Sequence, residues 1–449
     1  MRSLGREMPG TRPLSFIHKL RFGDLPADII AQAKRCVLDL VGVAAGATGT
    51  ELSRIVRNYA VNQMSTAGRG ARLMFDSRRV SPTGAAYAGA ATIDALDAHD
   101  GHRLTKGHAG VALFPALLAF CDQADATDGR EFLASLVLGY EIATRAGIAL
   151  HASVSDYHTS GAWNALGCAA IGARVLRLDG NATRQALGIA EYHGPRSQMM
   201  RCIDHPTMVK DGSGWGAMAG VSAVYLAADG FTGAPALLIE GEAEASVWRD
   251  LGTHWEISQQ YFKPHPVCRW AQPAMQAVTD LMAQHRFAPE AIAAIEIRTF
   301  AEAVRLGTRP PRTTEQAQYA IGFPVAAVAA RGQLGAAEIS DDGLKDHDIA
   351  TMLERIRLVE DKAFSARFPQ ERIAVVEITL RDGTQLISPP TAPRGDPESA
   401  LSDDELVLKF RSLAAGLSAE RRATIEHSIA ALDTDRAALA ALMNAILAP

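Results

Sequence analysis

Three aspartates and three histidines lie within a single stretch of fifteen residues, 94–108, which is the segment of the chain densest in polar residues. Side chains of these types could ligate a metal ion, with His99, His102 and His108 as ligands, or could transfer protons with a histidine as the base. The spacing matches neither an HExxH motif nor an EF-hand loop. A solvated polar loop is the alternative that composition alone favours. We predict proton transfer and no metal.

Three further residues stand in settings that suggest chemistry. His158 precedes a helix of small residues, whose free N–H groups favour an anion. Lys210 lies in a glycine-rich segment and Lys263 in a proline-rich one, although most lysines are solvated surface residues. Neither segment matches a phosphate-binding loop or a dinucleotide-binding turn, so nucleotide binding is not supported.

The composition excludes several classes of protein. The 449 residues carry a net charge of −5, which argues against a broadly basic nucleic-acid binder. The longest apolar run, 111–121, is too short to span a bilayer, and residues 1–13 lack the apolar segment of a signal peptide. We therefore expect a soluble, cytoplasmic protein without nucleic-acid or membrane partners. Five scattered cysteines without a CxxC pair suggest neither a zinc site nor a disulfide framework: Cys36, Cys121, Cys168, Cys202 and Cys268.

Helical and strand-like sequence patterns occupy different parts of the chain. Helical spacing dominates up to about residue 263, in segments such as 29–43, 82–96 and 130–150, and it returns after residue 402. Between them, 292–300 and 373–380 read as strands, and Asp382-Gly383 predicts a hairpin into 385–388. The sequence thus predicts a mainly α protein. Its large all-helical domain comprises residues 13–264 plus 399–449, and its smaller α/β lid domain comprises residues 265–398.

Several short motifs occur in a fixed order over nearly the whole chain. They are Leu38-Asp39-Leu40-Val41-Gly42, Leu96-Asp97-Ala98-His99-Asp100, His108-Ala109-Gly110, Gly139-Tyr140-Glu141, Tyr157-His158-Thr159-Ser160-Gly161, Phe231-Thr232-Gly233 and Phe262-Lys263-Pro264. In this order and spacing the sequence resembles the MmgE/PrpD family, which includes 2-methylcitrate dehydratase, cis-aconitate decarboxylase and iminodisuccinate epimerase.

The resemblance implies a homodimer whose active site lies between a helical domain and a lid domain and needs no metal or organic cofactor. Carried over residue by residue, it implies catalytic roles for Asp97, His108, His158, Lys210 and Lys263. Arg269 and His102 are further candidates for binding substrate. The chain departs from the family pattern at four positions: Gly101, Trp215, Gln272 and Phe323.

The family reaction implies proton transfer at a carbon beside a carboxylate, with a di- or tricarboxylic acid as the small-molecule substrate. Lys210 and Lys263 are suited to pair with its carboxylates, and His158 or His108 to move the proton, with Asp97 orienting a histidine. We expect a dehydratase-like lyase first and an epimerase second, then a decarboxylase, then an inactive binding protein. The hydroxyls lost at Gly101 and Phe323 slightly favour chemistry other than dehydration.

Overall fold

The computed structural model describes residues 10–242 and 245–449. Residues 1–9 lie outside the described residues, and they form most of the segment 1–13 that is predicted not to be a signal peptide. The predicted fold class is confirmed: helices dominate, and the sheets are small.

The first part of the chain is a helical domain. Its helices are α1 (Thr11–Lys19), α2 (Ala27–Ala47), α3 (Glu51–Gln63), α4 (Pro82–Asp94), α5 (Gly110–Ala124), α6 (Gly129–Ser153), α7 (Gly161–Val175), α8 (Gly180–His193), α9 (Met200–Asp204), α10 (Ser213–Ala228) and α11 (Leu237–Glu240). Two short antiparallel pairs accompany them, β1 (Ala71–Arg72) with β2 (Arg79–Val80) and β3 (Gly101–His102) with β4 (Gln260–Tyr261).

Small residues let the central helices of this domain approach one another closely. A Cβ atom on Gly167 of α7 would lie 2.8 Å from the backbone oxygen of Gly139 in α6 and 2.6 Å from the side chain of Leu113 in α5. Helix α6 is long and apolar enough to cross a membrane, but 94% of its apolar window is buried inside the protein. It is therefore accounted for as a core helix, while a cytoplasmic location stays a prediction.

The smaller α/β domain, for which the role of a lid stays a prediction, contains a four-stranded sheet in the order β6-β5-β7-β8, with β5 and β6 parallel and the other pairs antiparallel. Its elements are α12 (Gln272–His285), β5 (Ile292–Thr299), α13 (Ala301–Val304), α14 (Thr314–Gln318), α15 (Gly322–Arg331), α16 (His347–Leu353), β6 (Ile356–Glu360), α17 (Lys362–Ser365), β7 (Ala374–Leu380) and β8 (Gln385–Ile387). The predicted hairpin is confirmed, and Gly383 in its turn has a φ of 87°. Strand β6 was not expected, because its sequence continues a helical pattern.

The last helices return to the helical domain. They are α18 (Asp403–Leu413), α19 (Ala419–Ala430) and α20 (Ala438–Ile446). Helix α18 packs on α2, where Lys409 Nζ lies 2.5 Å from Asp39 Oδ1 and 2.6 Å from the backbone oxygen of Ala98. A Cβ on Gly42 would come within 3.1 Å of Phe410, so this contact requires a very small residue in α2. The exact domain boundaries stay a prediction.

Candidate active site

The polar segment 94–108 is buried rather than solvated. Asp94 ends α4, and it is followed by a loop in which Asp97, His99 and Asp100 are at most 2% exposed. Residues with such polar side chains are seldom buried unless they are paired or functional. The reading of this stretch as a solvated loop is therefore wrong.

A short strand pairing brings Lys263 to this loop. Strand β4 pairs with β3, which belongs to the polar segment, and Lys263 follows β4 by two residues. Its ammonium group is fully buried and lies 2.5 Å from Asp97 Oδ1 and 3.1 Å from the backbone oxygen of Asp97. Burial alone would raise the pKa of Asp97, but the ammonium groups of Lys263 and Lys210 lower it below its ordinary value. Asp97 is therefore a carboxylate at neutral pH.

Lys210 reaches the same cluster from the opposite side. It precedes α10 in a left-handed backbone conformation, with a φ of 51°, and is 2% exposed. Its Nζ donates a hydrogen bond to Gln318 Oε1 at 2.5 Å and lies 4.6 Å from the ring centre of Tyr319. Both partners come from the lid, at the end of α14.

Gln318 joins the two domains through its carboxamide group. Its Oε1 also accepts the N–H of Asp97 at 2.9 Å, and its Nε2 donates to the backbone oxygen of Ala95 at 3.0 Å. Gln318 is fully buried. The α/β domain thus contributes to the cluster a side chain whose oxygen accepts a hydrogen bond from the Lys210 ammonium.

His108 is held as a neutral imidazole with one free nitrogen. Its Nδ1 lies 2.6 Å from the backbone oxygen of Asp100, so this nitrogen carries the hydrogen. The Asp100 carboxylate in turn accepts a hydrogen bond from the Tyr140 hydroxyl at 2.8 Å. Nε2 of His108 faces Asp97 Oδ1 at 3.9 Å. Burial, together with the charge of Lys263, lowers the pKa of His108 to about 3.

Two buried carboxyl groups beside this cluster retain their protons more readily than usual. Burial raises the pKa of Asp94 to about 6 and that of Asp211 to about 8. The Ser160 hydroxyl donates to Asp211 Oδ2 and accepts the backbone N–H of His108 at 2.8 Å. The cluster therefore contains the neutral imidazole of His108 next to Asp211, a carboxyl group that keeps its proton at neutral pH.

Asp97, His99 and His108 also satisfy the spacing of a metal site, because one ligand atom from each lies within 4.8 Å of the others. Two features oppose a divalent cation at this place. The Lys263 ammonium already binds Asp97 Oδ1, and the charges of Lys263 and Lys210 would repel the cation. The absence of a metal requirement stays a prediction.

The other predicted site residues bind different partners. His158 faces Asp156, with 3.8 Å from Nε2 to Oδ1, and its backbone N–H donates to His151 Nε2 at 3.1 Å. His102 Nε2 lies 3.1 Å from Glu256 Oε2. Arg269 forms an ion pair with Asp396 at 2.8 Å and donates to the backbone oxygen of Arg394 at 2.6 Å. The contacts of the described residues join none of the three to Lys210 or Lys263. Their roles in catalysis or binding stay predictions.

The four departures from the family pattern have different structural consequences. A Cβ on Gly101 would lie 2.5 Å from the Tyr261 hydroxyl oxygen, so tyrosine fills the space of a side chain there. Phe323 is buried in α15, and the aromatic ring beside Lys210 belongs to Tyr319 instead. Gln272 caps the backbone oxygens of His265 and Val267. Trp215 is half exposed on α10.

Sequence reasoning missed four members of the cluster: Asp94, Asp211, Gln318 and Tyr319. Asp94 begins the polar segment, and Asp211 directly follows Lys210, so both stood beside recognised residues. Gln318 and Tyr319 lie five and four residues before Phe323, and their spacing does not indicate a site. Only the fold brings them to Lys210.

Comparison with known proteins agrees with this arrangement. The model of the MmgE/PrpD N-terminal domain matches residues 14–252, and that of the C-terminal domain matches residues 265–434. A cis-aconitate decarboxylase-like protein of Aspergillus oryzae is 23% identical, with 94% of this chain and 93% of that protein aligned. The cis-aconitate decarboxylase of Mus musculus is 26% identical, covering 93% and 88% of the two chains, and that of Homo sapiens is 23% identical, covering 89% and 86%. The two family models together match most of the chain, which therefore belongs to the MmgE/PrpD family.

Proposed function

We propose that this protein is a lyase that acts on a di- or tricarboxylic acid at a carbon next to a carboxylate. One observation carries the proposal: two buried lysine ammonium groups and a neutral histidine lie in one cluster under the lid. Buried cations without a nucleotide-binding motif are suited to small polycarboxylates, because each can form a charge-assisted hydrogen bond with a carboxylate.

The lysines serve to bind and to stabilise charge. At Lys210 a substrate carboxylate replaces Gln318 Oε1, and at Lys263 it accepts the third N–H of the ammonium group, beside the two that Asp97 accepts. When a proton or carbon dioxide leaves a carbon beside a carboxylate, negative charge spreads onto the carboxylate oxygens. An ammonium group held against these oxygens in a site without water lowers the energy of that state.

His108 is suited to accept the proton. Nε2 is the free nitrogen, since Nδ1 is bound to the backbone of Asp100. A dianionic substrate brings negative charge close to the imidazole and raises its pKa from about 3 toward the working range. Asp211, whose pKa burial raises to about 8, holds a proton at neutral pH that can be donated later in the cycle. Groups whose pKa values are driven apart in one site are typical of acid and base partners.

The names of the relatives favour decarboxylation over the dehydration that the sequence first suggested. In a decarboxylation the electron pair of the C–CO₂ bond stays on the substrate, and a proton from the enzyme is added to its carbon. In a dehydration His108 removes a proton from the substrate carbon, and a protonated carboxyl group such as Asp211 gives its own proton to the leaving hydroxide, which departs as water. The buried acid Asp211 keeps dehydration as the second candidate, and an epimerase remains the third.

The experiment is incubation of the purified protein with a panel of di- and tricarboxylic acids in D₂O, followed by proton NMR. Loss of carbon dioxide with deuterium at the reacting carbon supports a decarboxylase, and a new alkene formed with loss of water supports a dehydratase. Exchange of a substrate C–H for deuterium without net product supports an epimerase. No reaction and no exchange with any acid of the panel would contradict the proposal.

Binding tests the lysines separately from turnover. Lys210→Ala and Lys263→Ala are each expected to weaken binding of a polycarboxylate by about 1.5–3 kcal/mol, the contribution of a hydrogen bond to a charged group. Lys34→Ala is the matched control, because Lys34 pairs with Asp433 at the surface, away from the cluster. Unchanged affinity in both site variants would show that the two lysines have no role in substrate binding.

The homodimer expected from the family stays part of this proposal, and sedimentation velocity measures the oligomeric state.

A further inference from the structure

An apolar pocket opens beside the buried cluster on the surface of the helical domain. Its volume is about 230 Å³, and it lies among α3, α4 and the start of α10. Its walls include Ile55, Tyr87, Met208, Val209 and Trp215. Apart from Tyr87, these apolar side chains are 42–73% exposed, which is unusual for residues of this size that neighbour one another.

The lining of the pocket also includes two residues of the cluster. Lys210, which binds Gln318, is one of them, and Asp94 at the end of α4 is the other. Asp94 is 3% exposed, and its Oδ1 makes no hydrogen bond among the described residues, although His99 Nε2 lies 3.9 Å from it. An unpartnered buried oxygen is costly, so it marks a place where a ligand atom can donate a hydrogen bond.

We propose that this pocket holds an apolar substituent, an aromatic ring or a branched alkyl group, of the carboxylate substrate that binds at Lys210. The inference rests on the proposed function, because it takes Lys210 as the carboxylate-binding group. It goes further by naming the substrate class: a carboxylic acid with a hydrophobic side group, rather than a compact acid with carboxylates alone.

The size and charge of the pocket support this class. An apolar cavity of about 150 Å³ suffices for benzene, so 230 Å³ accommodates one ring or a branched chain but not a large cofactor. Asp94 and Lys210 are the two charged residues in the described lining. A second carboxylate of the substrate in this pocket would lie near the Asp94 carboxyl group, with no cation besides Lys210 in the described lining to offset the repulsion. A hydroxyl or amine of the substrate could instead donate a hydrogen bond to Asp94 Oδ1.

A pair of probes that differ only in the apolar group tests the proposal. Binding of succinate and of benzylsuccinate is measured by isothermal titration calorimetry at pH 7. Burial of a side group of this size is expected to make benzylsuccinate bind about 10- to 100-fold more tightly. Trp215→Ala is expected to remove most of this difference and to leave the affinity for succinate unchanged. Leu226→Ala is the matched control, because Leu226 lies on the same helix, is 40% exposed and is outside the pocket.

The outcomes separate this proposal from the one on which it rests. If both acids bind equally and Lys210→Ala weakens both, the pocket proposal is overturned and the proposed function stands. If neither acid nor any polycarboxylate of the panel binds, the proposed function fails as well. If Trp215→Ala leaves both affinities unchanged but reduces the sedimentation coefficient of the protein, the apolar walls are a contact between two copies of the chain, and the pocket proposal is again overturned.

Discussion

The ion pair between Lys263 and Asp97 gives the sharpest test of how the site is built. Both groups are buried, and their charged atoms are 2.5 Å apart. With an effective dielectric constant of about 20, their Coulomb attraction is about 7 kcal/mol. Much of this offsets the cost of removing the two charges from water. Asp97→Asn keeps an oxygen near Lys263 but leaves the ammonium without its counter-charge, so we expect the free energy of unfolding to fall by about 3–5 kcal/mol.

A double-mutant cycle separates this interaction from other effects of the substitutions. Lys263→Met alone should also destabilise the protein, but by less, because Asp97 can take up a proton. The double variant Asp97→Asn/Lys263→Met should lose less than the sum of the single variants, with a coupling energy of at least about 2 kcal/mol. Urea unfolding at pH 7, followed by circular dichroism, measures all four proteins.

The pair formed by Asp39 and Lys409 is the matched control for this cycle. It has the same 2.5 Å separation and is also largely buried, and it joins α18 to α2 behind the polar loop, where Lys409 also donates to the backbone oxygen of Ala98. Burial raises the pKa of Asp39 in spite of Lys409, whereas Lys263 and Lys210 lower the pKa of Asp97, so Asp39→Asn should cost less stability than Asp97→Asn. A loss below about 1 kcal/mol for Asp97→Asn, or strictly additive effects in its cycle, would refute the reasoning that the site depends on a buried charge pair.

Four further predictions concern the proton, the acid, the lid and the metal. His108→Gln should lower kcat by about 10²–10⁴-fold without unfolding the protein. If His108→Gln instead has a normal kcat and His158→Gln shows this loss, the base is His158. Asp211→Asn should become more stable relative to the wild type as pH rises, by about 1.4 kcal/mol per pH unit between the ordinary pKa of 3.8 and the raised value of about 8. The reason is that in this range the carboxyl group of Asp211 is ionised in the unfolded wild type but keeps its proton in the folded one. Parallel thermal-stability profiles of the two proteins would contradict this. Gln318→Glu should weaken polycarboxylate binding at least about tenfold, or about 1.4 kcal/mol, since the new carboxylate competes for Lys210; unchanged affinity in calorimetry would place the substrate elsewhere. Prolonged treatment with a chelator should leave turnover unchanged, and a loss of activity restored by zinc, iron or manganese would make Asp97, His99 and His108 metal ligands.

The elements of the fold could be predicted where one physical signal dominates. Helical spacing and small residues identify α4 to α7, and Asp382-Gly383 identifies the turn of the lid hairpin. Strand β6 could not be separated from the helix before it, because its residues alternate only weakly between buried and exposed positions. The burial of the polar loop was also hidden, since composition does not record which domain covers a segment.

The site shows the same limit more clearly. Asp97, His108, Lys210 and Lys263 come from three distant parts of the chain. Motifs of the family identify Asp97, His108 and Lys263, and a glycine-rich setting drew attention to Lys210. Their pairing depends on contacts that motifs do not encode. Asp97 was expected to orient a histidine, but its close partner is Lys263, and the backbone of Asp100 fixes the hydrogen on His108 Nδ1. The oxygen that meets Lys210 belongs to Gln318, more than a hundred residues away.

This difference has a consequence for how the site works. A lysine that is fully buried and already bound to a lid residue cannot receive a carboxylate unless the lid residue gives way. Gln318 makes four hydrogen bonds, two through its oxygen and two through its nitrogen, and three of them reach Lys210, Asp97 and Ala95 in the helical domain. The bond from the Lys210 ammonium to Gln318 Oε1 has one charged partner, whereas a bond from the same ammonium to a substrate carboxylate has two, so a carboxylate can replace the amide oxygen there. The substrate itself would then loosen the side chain that closes the lid, so binding at Lys210 and movement of α14 should occur together.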